Sequence, residues 1–189
     1  MGNLATLVHG LEEQGFGVEE EDKEGGKTGI IAYRDVGGRM KKFRATYFSG
    51  THHIKPWIEA ELLFDVDPFS EEVQQIFDTF SEVLEPGSHL MVRYSSQDLT
   101  AKALNVGVPA PATPIGFLMW KAGFRWYKDW YISEGWKEGG QKLQANLPLN
   151  EEVREEREEE AREELEEFLG GEAEHETCRR LAENLLESI

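Results

Sequence analysis

Apolar residues recur along this chain in two rhythms, and the switching between them predicts a body in which helices and strands alternate. Leu4, Leu7, Val8 and Leu11 fall at helical spacing, with Asn3 as N-cap and Gly15 as a stop. The acidic, Gly-rich stretch Glu19 to Lys27 has no apolar period and reads as a mobile loop. Thr28 to Tyr33 and Met40 to Phe48 are rich in β-forming residues and flank Asp35-Val36-Gly37-Gly38, whose glycines supply the positive φ of a tight hairpin. A third strand is predicted at Trp57 to Val66. Ile58, Ala60 and Leu62 alternate there with Trp57, Glu59 and Glu61, so aliphatics take one face and carboxylates the other. The apolar run after Leu62 predicts burial on both faces.

Asp67-Pro68-Phe69-Ser70 breaks that strand, and Ser70 caps a helix whose Val73, Ile76, Phe77, Phe80, Val83 and Leu84 form one stripe. Glu71 and Glu72 in its first turn suit the helix dipole, and Pro86-Gly87 ends it before a strand at His89 to Tyr94. Strand, helix, strand makes a crossover unit. A short helix is predicted over Gln97 to Asn105, and another from the cap Thr113 through Pro114 to Ala122. Phe124 to Ile132 alternates aromatic and polar residues as a strand, and Gln141 to Leu147 closes a hairpin with it across the turn-rich Glu134 to Gly140.

Past Pro148 the pattern changes. Asn150 caps a helix whose apolar face is limited to Ala161, Leu165, Phe168 and Leu169, so solvent is expected to surround its Glu/Arg-rich first half. Gly170-Gly171 interrupts, and a last helix places Cys178, Leu181, Ala182, Leu185, Leu186 and Ile189 on one stripe. That stripe needs a partner, either the body or a second copy of the chain. The division implied is an α/β domain at 1–148 and a helical extension at 149–189.

Charge sharpens the division. The net charge is −17 over 189 residues, and residues 150–189 carry 16 Glu against 5 Arg, a net −11. The body has no excess of cations to displace counterions from phosphates, so nucleic acid is not an expected partner. The densest basic patch, Arg39, Lys41, Lys42 and Arg44, reads as an edge strand guarded against aggregation. No apolar run approaches the ~18 residues of a membrane span, Cys178 has no partner cysteine, and no secretory signal opens the chain, which together predict a reduced, cytoplasmic protein.

Nucleophile elbows, P-loops and dinucleotide fingerprints are missing from the sequence. His52-His53 suggests a metal, but adjacent strand residues point to opposite faces, so no metal is expected. His53 alone, facing the same cleft as Glu59, is the better reading, alongside an ordinary loop histidine. Trp120, Phe124, Trp126, Tyr127, Trp130, Tyr131 and Trp136 form a dense aromatic set that reads as core plus one lined cleft, with Trp126 and Trp130 on one strand face.

The element order, with Lys121-Ala122-Gly123-Phe124 before a final hairpin, resembles the GCN5-related N-acetyltransferase superfamily over roughly residues 1–148. Asp67-Pro68 and Gly123-Phe124-Arg125-Trp126-Tyr127-Lys128-Asp129-Trp130-Tyr131 also resemble an uncharacterised, largely archaeal family, domain of unknown function 1122. The first resemblance implies a mixed, mostly antiparallel sheet with flanking helices and a carboxylate on the long strand that takes a proton from an amine. Glu59 and Glu61 fill that place, with His53 and Tyr94 as further catalytic candidates. It also implies an acyl-CoA site, for which Phe64, Val66, Ser70 and Trp126 are the candidate lining. Two departures stand out: the glycine-rich phosphate loop is replaced by Asp67-Pro68-Phe69-Ser70-Glu71-Glu72, and Met119 stands where many members carry a tyrosine general acid.

Two functions therefore follow from the sequence. One is an acyl-CoA-dependent N-acyltransferase, or a degenerate relative, acting on a small-molecule or protein amine. The other is a non-catalytic module that forms a homodimer through its C-terminal helix.

Overall fold

In the computed structural model, described over residues 4–23, 27–36, 38–126, 141–171 and 175–189, six strands form one sheet in the order β1-β2-β3-β4-β5-β6. Helix α1 (Leu4–Glu13) leads into β1 (Gly17–Lys23), β2 (Lys27–Val36), β3 (Arg39–Phe48) and β4 (Trp57–Leu62). These four strands are antiparallel neighbours. Helix α2 (Glu71–Val83) then crosses over to β5 (His89–Tyr94), which lies parallel to β4. A short helix α3 (Leu99–Asn105), a 3₁₀ turn at Ala110–Ala112 and α4 (Pro114–Lys121) precede β6 (Gln141–Asn146), antiparallel to β5. Two helices close the chain, α5 (Glu151–Gly170) and α6 (Glu176–Ser188). The Asn3 cap, Gly37, the predicted strand beyond Trp126 and its turn to Gly140 lie outside the described residues.

Alternation along the strands separates two faces. Ile30 and Ala32, Phe43 and Ala45, Ile58 and Ala60, Leu90 and Val92, and Leu143 and Ala145 are buried on one side. Leu7 and Leu11 of α1, Ile76, Phe77 and Phe80 of α2 and Leu118 of α4 join them in a single core. Phe16, Phe43, Phe80 and Phe77 meet edge to face in a chain, the arrangement that aromatic quadrupoles favour. On the other side the side chains of Glu21, Arg44, Thr46, Glu59, Glu61, Arg93 and Lys142 are half-buried or exposed.

The capping chemistry holds. Ser70 accepts a hydrogen bond from the Val73 amide, Thr113 from Gly116 and Asn150 from Val153. Gly38 turns the β2–β3 hairpin at φ 79°. Gly116 lets α4 lie against the 3₁₀ turn, because a Cβ there would run into the Ala110 carbonyl oxygen.

Four expectations are corrected. Residues 19–23 are not loop but part of β1, paired with β2 from Ile31 to Lys27; backbone pairing forms an edge strand there without any apolar period. β3, with its four basic residues, is an interior strand and not a guarded edge, because it pairs with β2 on one side and with β4 on the other. The third strand stops at Leu62; past it Leu63 is 44% exposed, so the run is not buried on both faces. The first half of α5 is not wholly solvated. Arg125, only 8% exposed, donates from Nη2 to Glu158 at 2.9 Å and from Nη1 to the Trp120 and Phe124 carbonyls at 2.8 Å each. Its guanidinium lies 3.9 Å from the Trp120 ring centroid, which fastens α5 to the end of α4.

The stripe on α6 finds its partner within the chain. Cys178, Leu181, Ala182 and Leu185 are fully buried, with α6 against the 3₁₀ turn, α4 and α5.

Candidate functional site

The parallel pairing of β4 and β5 runs from Trp57↔His89 to Glu61↔Arg93 and stops there. Beyond that rung the two chains separate, one toward α2 and the other toward α3. In open α/β sheets ligands enter at the carboxyl ends of parallel strands, where such a parting leaves a crevice. A crevice of about 370 Å³ lies between them, lined by Asp65, Val66, Asp67 and Pro68 after β4 and by Gln97, Asp98, Leu99 and Thr100 after β5. Pro114 and Ile115 of α4 and Thr177 of α6 complete it.

Local hydrogen bonding fixes these walls. The Asp67 carboxylate accepts from the Phe69 amide at 3.0 Å and its carbonyl from the Ser70 amide at 3.1 Å. Asp98 accepts from both the amide (2.6 Å) and the hydroxyl (2.9 Å) of Ser95. Thr100 accepts from the Ile115 amide at 3.2 Å. Phe69 faces Phe117, and the Arg180 guanidinium of α6 lies 4.7 Å over its ring. A pyrophosphate is gripped by bare backbone amides. Here Pro68 has none, those of Phe69 and Ser70 bond within the loop, and the Val73 amide is capped by Ser70. Among the described residues three carboxylates and no basic side chain line the space.

A second concavity, of about 360 Å³, lies on the open face of the sheet beside the last β4–β5 rung. Glu21, Arg44, Thr46, Phe48, Glu59, Ala60, Glu61 and Arg93 line it. Strand parity puts Glu59 and Glu61 here together, as their alternation with Ile58 and Ala60 implies. Glu59 Oε1 accepts from Arg93 Nε and from Lys142 Nζ, both at 2.8 Å. Burial by itself would push this carboxyl up, but the hydrogen bonds and charges of Lys142 and Arg93 together outweigh it and hold the group below its ordinary value. Phe48, Trp57 and His89 stack across three strands at the edge of this concavity, with centroids 4.3 and 5.1 Å apart, and burial lowers the His89 pKa, favouring the neutral ring.

The other candidates lie elsewhere. His53 sits exposed in the β3–β4 loop, its ring edge-on to His52, and lines neither concavity. Tyr94, at 4% exposure, points to the core side of β5, opposite to Glu59 and Glu61. Val66 lines the crevice. Phe64 packs against the core under Lys41, the Ser70 hydroxyl caps α2, and Trp126 is buried with its ring stacked on Trp120. Met119 is fully buried and supplies no proton donor. Arg93, Lys142, Asp98 and Thr177 were missed; their outward strand parity and loop polarity were legible, whereas their convergence was not. Among the described residues no three His, Cys, Asp or Glu side chains are grouped as metal ligands would be, and no helix is long and apolar enough to cross a membrane.

The family described as Protein of unknown function (DUF1122) matches residues 24–172. The fold is similar to the crystal structure of a protein of unknown function from Aquifex aeolicus VF5, with a TM-score of 0.71 and 24% identity, covering 97% of this chain and 96% of that one. At that identity the likeness speaks for the fold alone. No curated protein matches the chain.

Proposed function

We propose that this chain, which belongs to the DUF1122 family of proteins of unknown function, is a degenerate relative of the acyltransferases that binds a small organic amine, without coenzyme A, in the crevice at the carboxyl ends of β4 and β5. One observation carries the reading: among the described residues Asp65, Asp67 and Asp98 line that crevice and no Lys, Arg or His does. Unit charges about 4 Å apart interact by about 4 kcal/mol at the effective dielectric near a protein surface, before salt screening. Three carboxylates therefore repel a pyrophosphate and attract an ammonium group. Gln97, Thr100 and Thr177 add neutral polar atoms, and Val66, Pro114 and Ile115 an apolar wall, which suits an amine on a short carbon chain.

The neighbouring strand carboxylates fit this reading. Glu59 is held ionised between two cations, so it serves as a fixed brace rather than a proton acceptor.

Calorimetry with spermidine and with acetyl-CoA tests the proposal. Spermidine is expected to give saturable heat that weakens as salt is raised to about 0.15 M, and weakens again in Asp65→Asn. Asp65 is exposed, so that variant should fold normally. Saturable binding of acetyl-CoA, or spermidine heat indifferent to both salt and Asp65, would overturn it.

A further inference from the structure

We infer that the concavity on the open sheet face is a second, separate site, and that it takes a free apolar α-amino acid, its carboxylate on Arg44 and its ammonium on Glu61. The two residues are directly opposite each other in the antiparallel β3–β4 register, and both line the concavity. Their neighbours are engaged: Glu59 binds Arg93 and Lys142. Among the described residues Arg44 and Glu61 form no ion pair, not even with each other. A positive and a negative side chain thus rise from opposed positions on neighbouring strands, whose backbones lie about 4.8 Å apart, on the open face of the sheet. A free amino acid carries both complementary charges on one carbon and can meet both poles at once.

The surroundings select within that class. Gly29 pairs with both Glu21 and Thr46, so no side chain rises between them and the floor stays open. Glu21, also without an ion-pair partner among the described residues, adds a second unpaired carboxylate to the lining beside Glu61, biasing it toward the ammonium end. Phe48 offers an apolar wall, braced by its stack on Trp57. An apolar side chain on the amino acid finds its contact there. A nucleic acid is a poor competitor for a surface with as many carboxylates as this, on a chain of net charge −17.

The test uses probes that carry one pole at a time. L-leucine and L-phenylalanine are titrated into the full chain by NMR, alongside L-leucinamide, which lacks the carboxylate, and N-acetyl-L-leucine, which lacks the ammonium. Read at the resonances of Arg44 and Glu61, apart from any binding of leucinamide in the crevice, the amino acids are expected to saturate, with each one-pole analogue at least about tenfold weaker, as the loss of a charge-assisted contact requires. Arg44→Gln should erase the advantage of leucine over leucinamide, and Glu61→Gln its advantage over N-acetyl-leucine. Among the described residues neither has an ion-pair partner to lose, and circular dichroism is expected to show both variants folded. Asp65→Asn should leave leucine binding unchanged, which separates this site from the crevice. Equal binding of leucine and leucinamide at Arg44 and Glu61, or no saturation by either amino acid up to about 10 mM, overturns the inference.

Discussion

Lys142 on β6 and Glu59 on β4 form an ion pair across the intervening strand, with Nζ 2.8 Å from Oε1. β4 and β6 share no backbone ladder, so this contact, with Arg93 of β5 on the same oxygen, braces three strands at the point where the parallel pair ends. Both side chains are largely buried, at 14% and 20% exposure, so water screens the pair weakly. Lys142→Met is expected to raise the Glu59 pKa and to cost about 1–2 kcal/mol. A carboxyl whose folded pKa lies below its unfolded one contributes stability above the ordinary value of 4.5, and loses it as pH falls through the lowered folded value. Denaturation of the parent chain should therefore show a decline beginning near 4.5 and continuing below it, and the decline should be shallower in the variant. A pH titration of the Glu59 carboxyl carbon by NMR checks the same point directly.

Arg125 and Glu158 tie the acidic helix to the body. Burial pulls the Arg125 guanidinium below its ordinary pKa, and the hydrogen bond and charge of Glu158 oppose that. Glu158→Ala removes the opposing charge and leaves a cation 8% exposed against two carbonyls and the Trp120 ring. Breaking a fully buried pair costs roughly 3–5 kcal/mol; because Glu158 is itself 26% exposed, a loss of about 1–3 kcal/mol in urea denaturation is expected here. Glu159→Ala one position on, whose side chain is 63% exposed, should change stability by less than about 0.5 kcal/mol.

Most elements were legible because their signals are local. The span of β5 was read without error at His89–Tyr94, since burial alternates there residue by residue. The caps Ser70, Thr113 and Asn150 were read from side-chain chemistry alone. β1 was not legible, because a strand held by pairing on one side needs no apolar face, and Glu19, Glu20 and Glu21 gave none. The pairing of β3 with β4 on its far side was not legible either, so β3 read as an edge. The site was half legible for the same reason. Period-2 alternation put Glu59 and Glu61 on one face, but the register that brings Arg93 and Lys142 to Glu59 is set by strand pairing across long sequence separations. Tyr94 shows the limit from the other direction: its parity with Leu90 and Val92 already placed it on the core side.

Leu181 discriminates between the two partners that the C-terminal stripe required. Its side chain has no exposure within a single chain, in contact with the same core as the sheet. Leu181→Ala is expected to cost about 2–5 kcal/mol, as truncation at fully packed sites does. Leu149→Ala, at 59% exposure, should cost little. If the stripe instead docked a second copy in solution, Leu181→Ala would halve the mass seen by light scattering and remove a concentration dependence from denaturation. The intrachain packing predicts the reverse, an unchanged mass and a lower melting temperature.

Cys178 sits on the same stripe, fully buried, and burial pushes its thiol up to about 11. Only the thiolate attacks disulfide and alkylating reagents, so at about pH 8 roughly one molecule in a thousand is reactive even before access is considered. The native chain should therefore resist Ellman's reagent, and the denatured chain should react at the rate of an ordinary thiol. Any slow native reaction reports transient opening of α6, because the sulfur is covered until that helix leaves α4 and the 3₁₀ turn. Leu181→Ala, by loosening the same contact, should speed that reaction by a factor matching its loss of stability, up to the point where opening itself becomes limiting. Rapid labelling of the intact chain, or a rate indifferent to Leu181, would mean that α6 does not hold the position described.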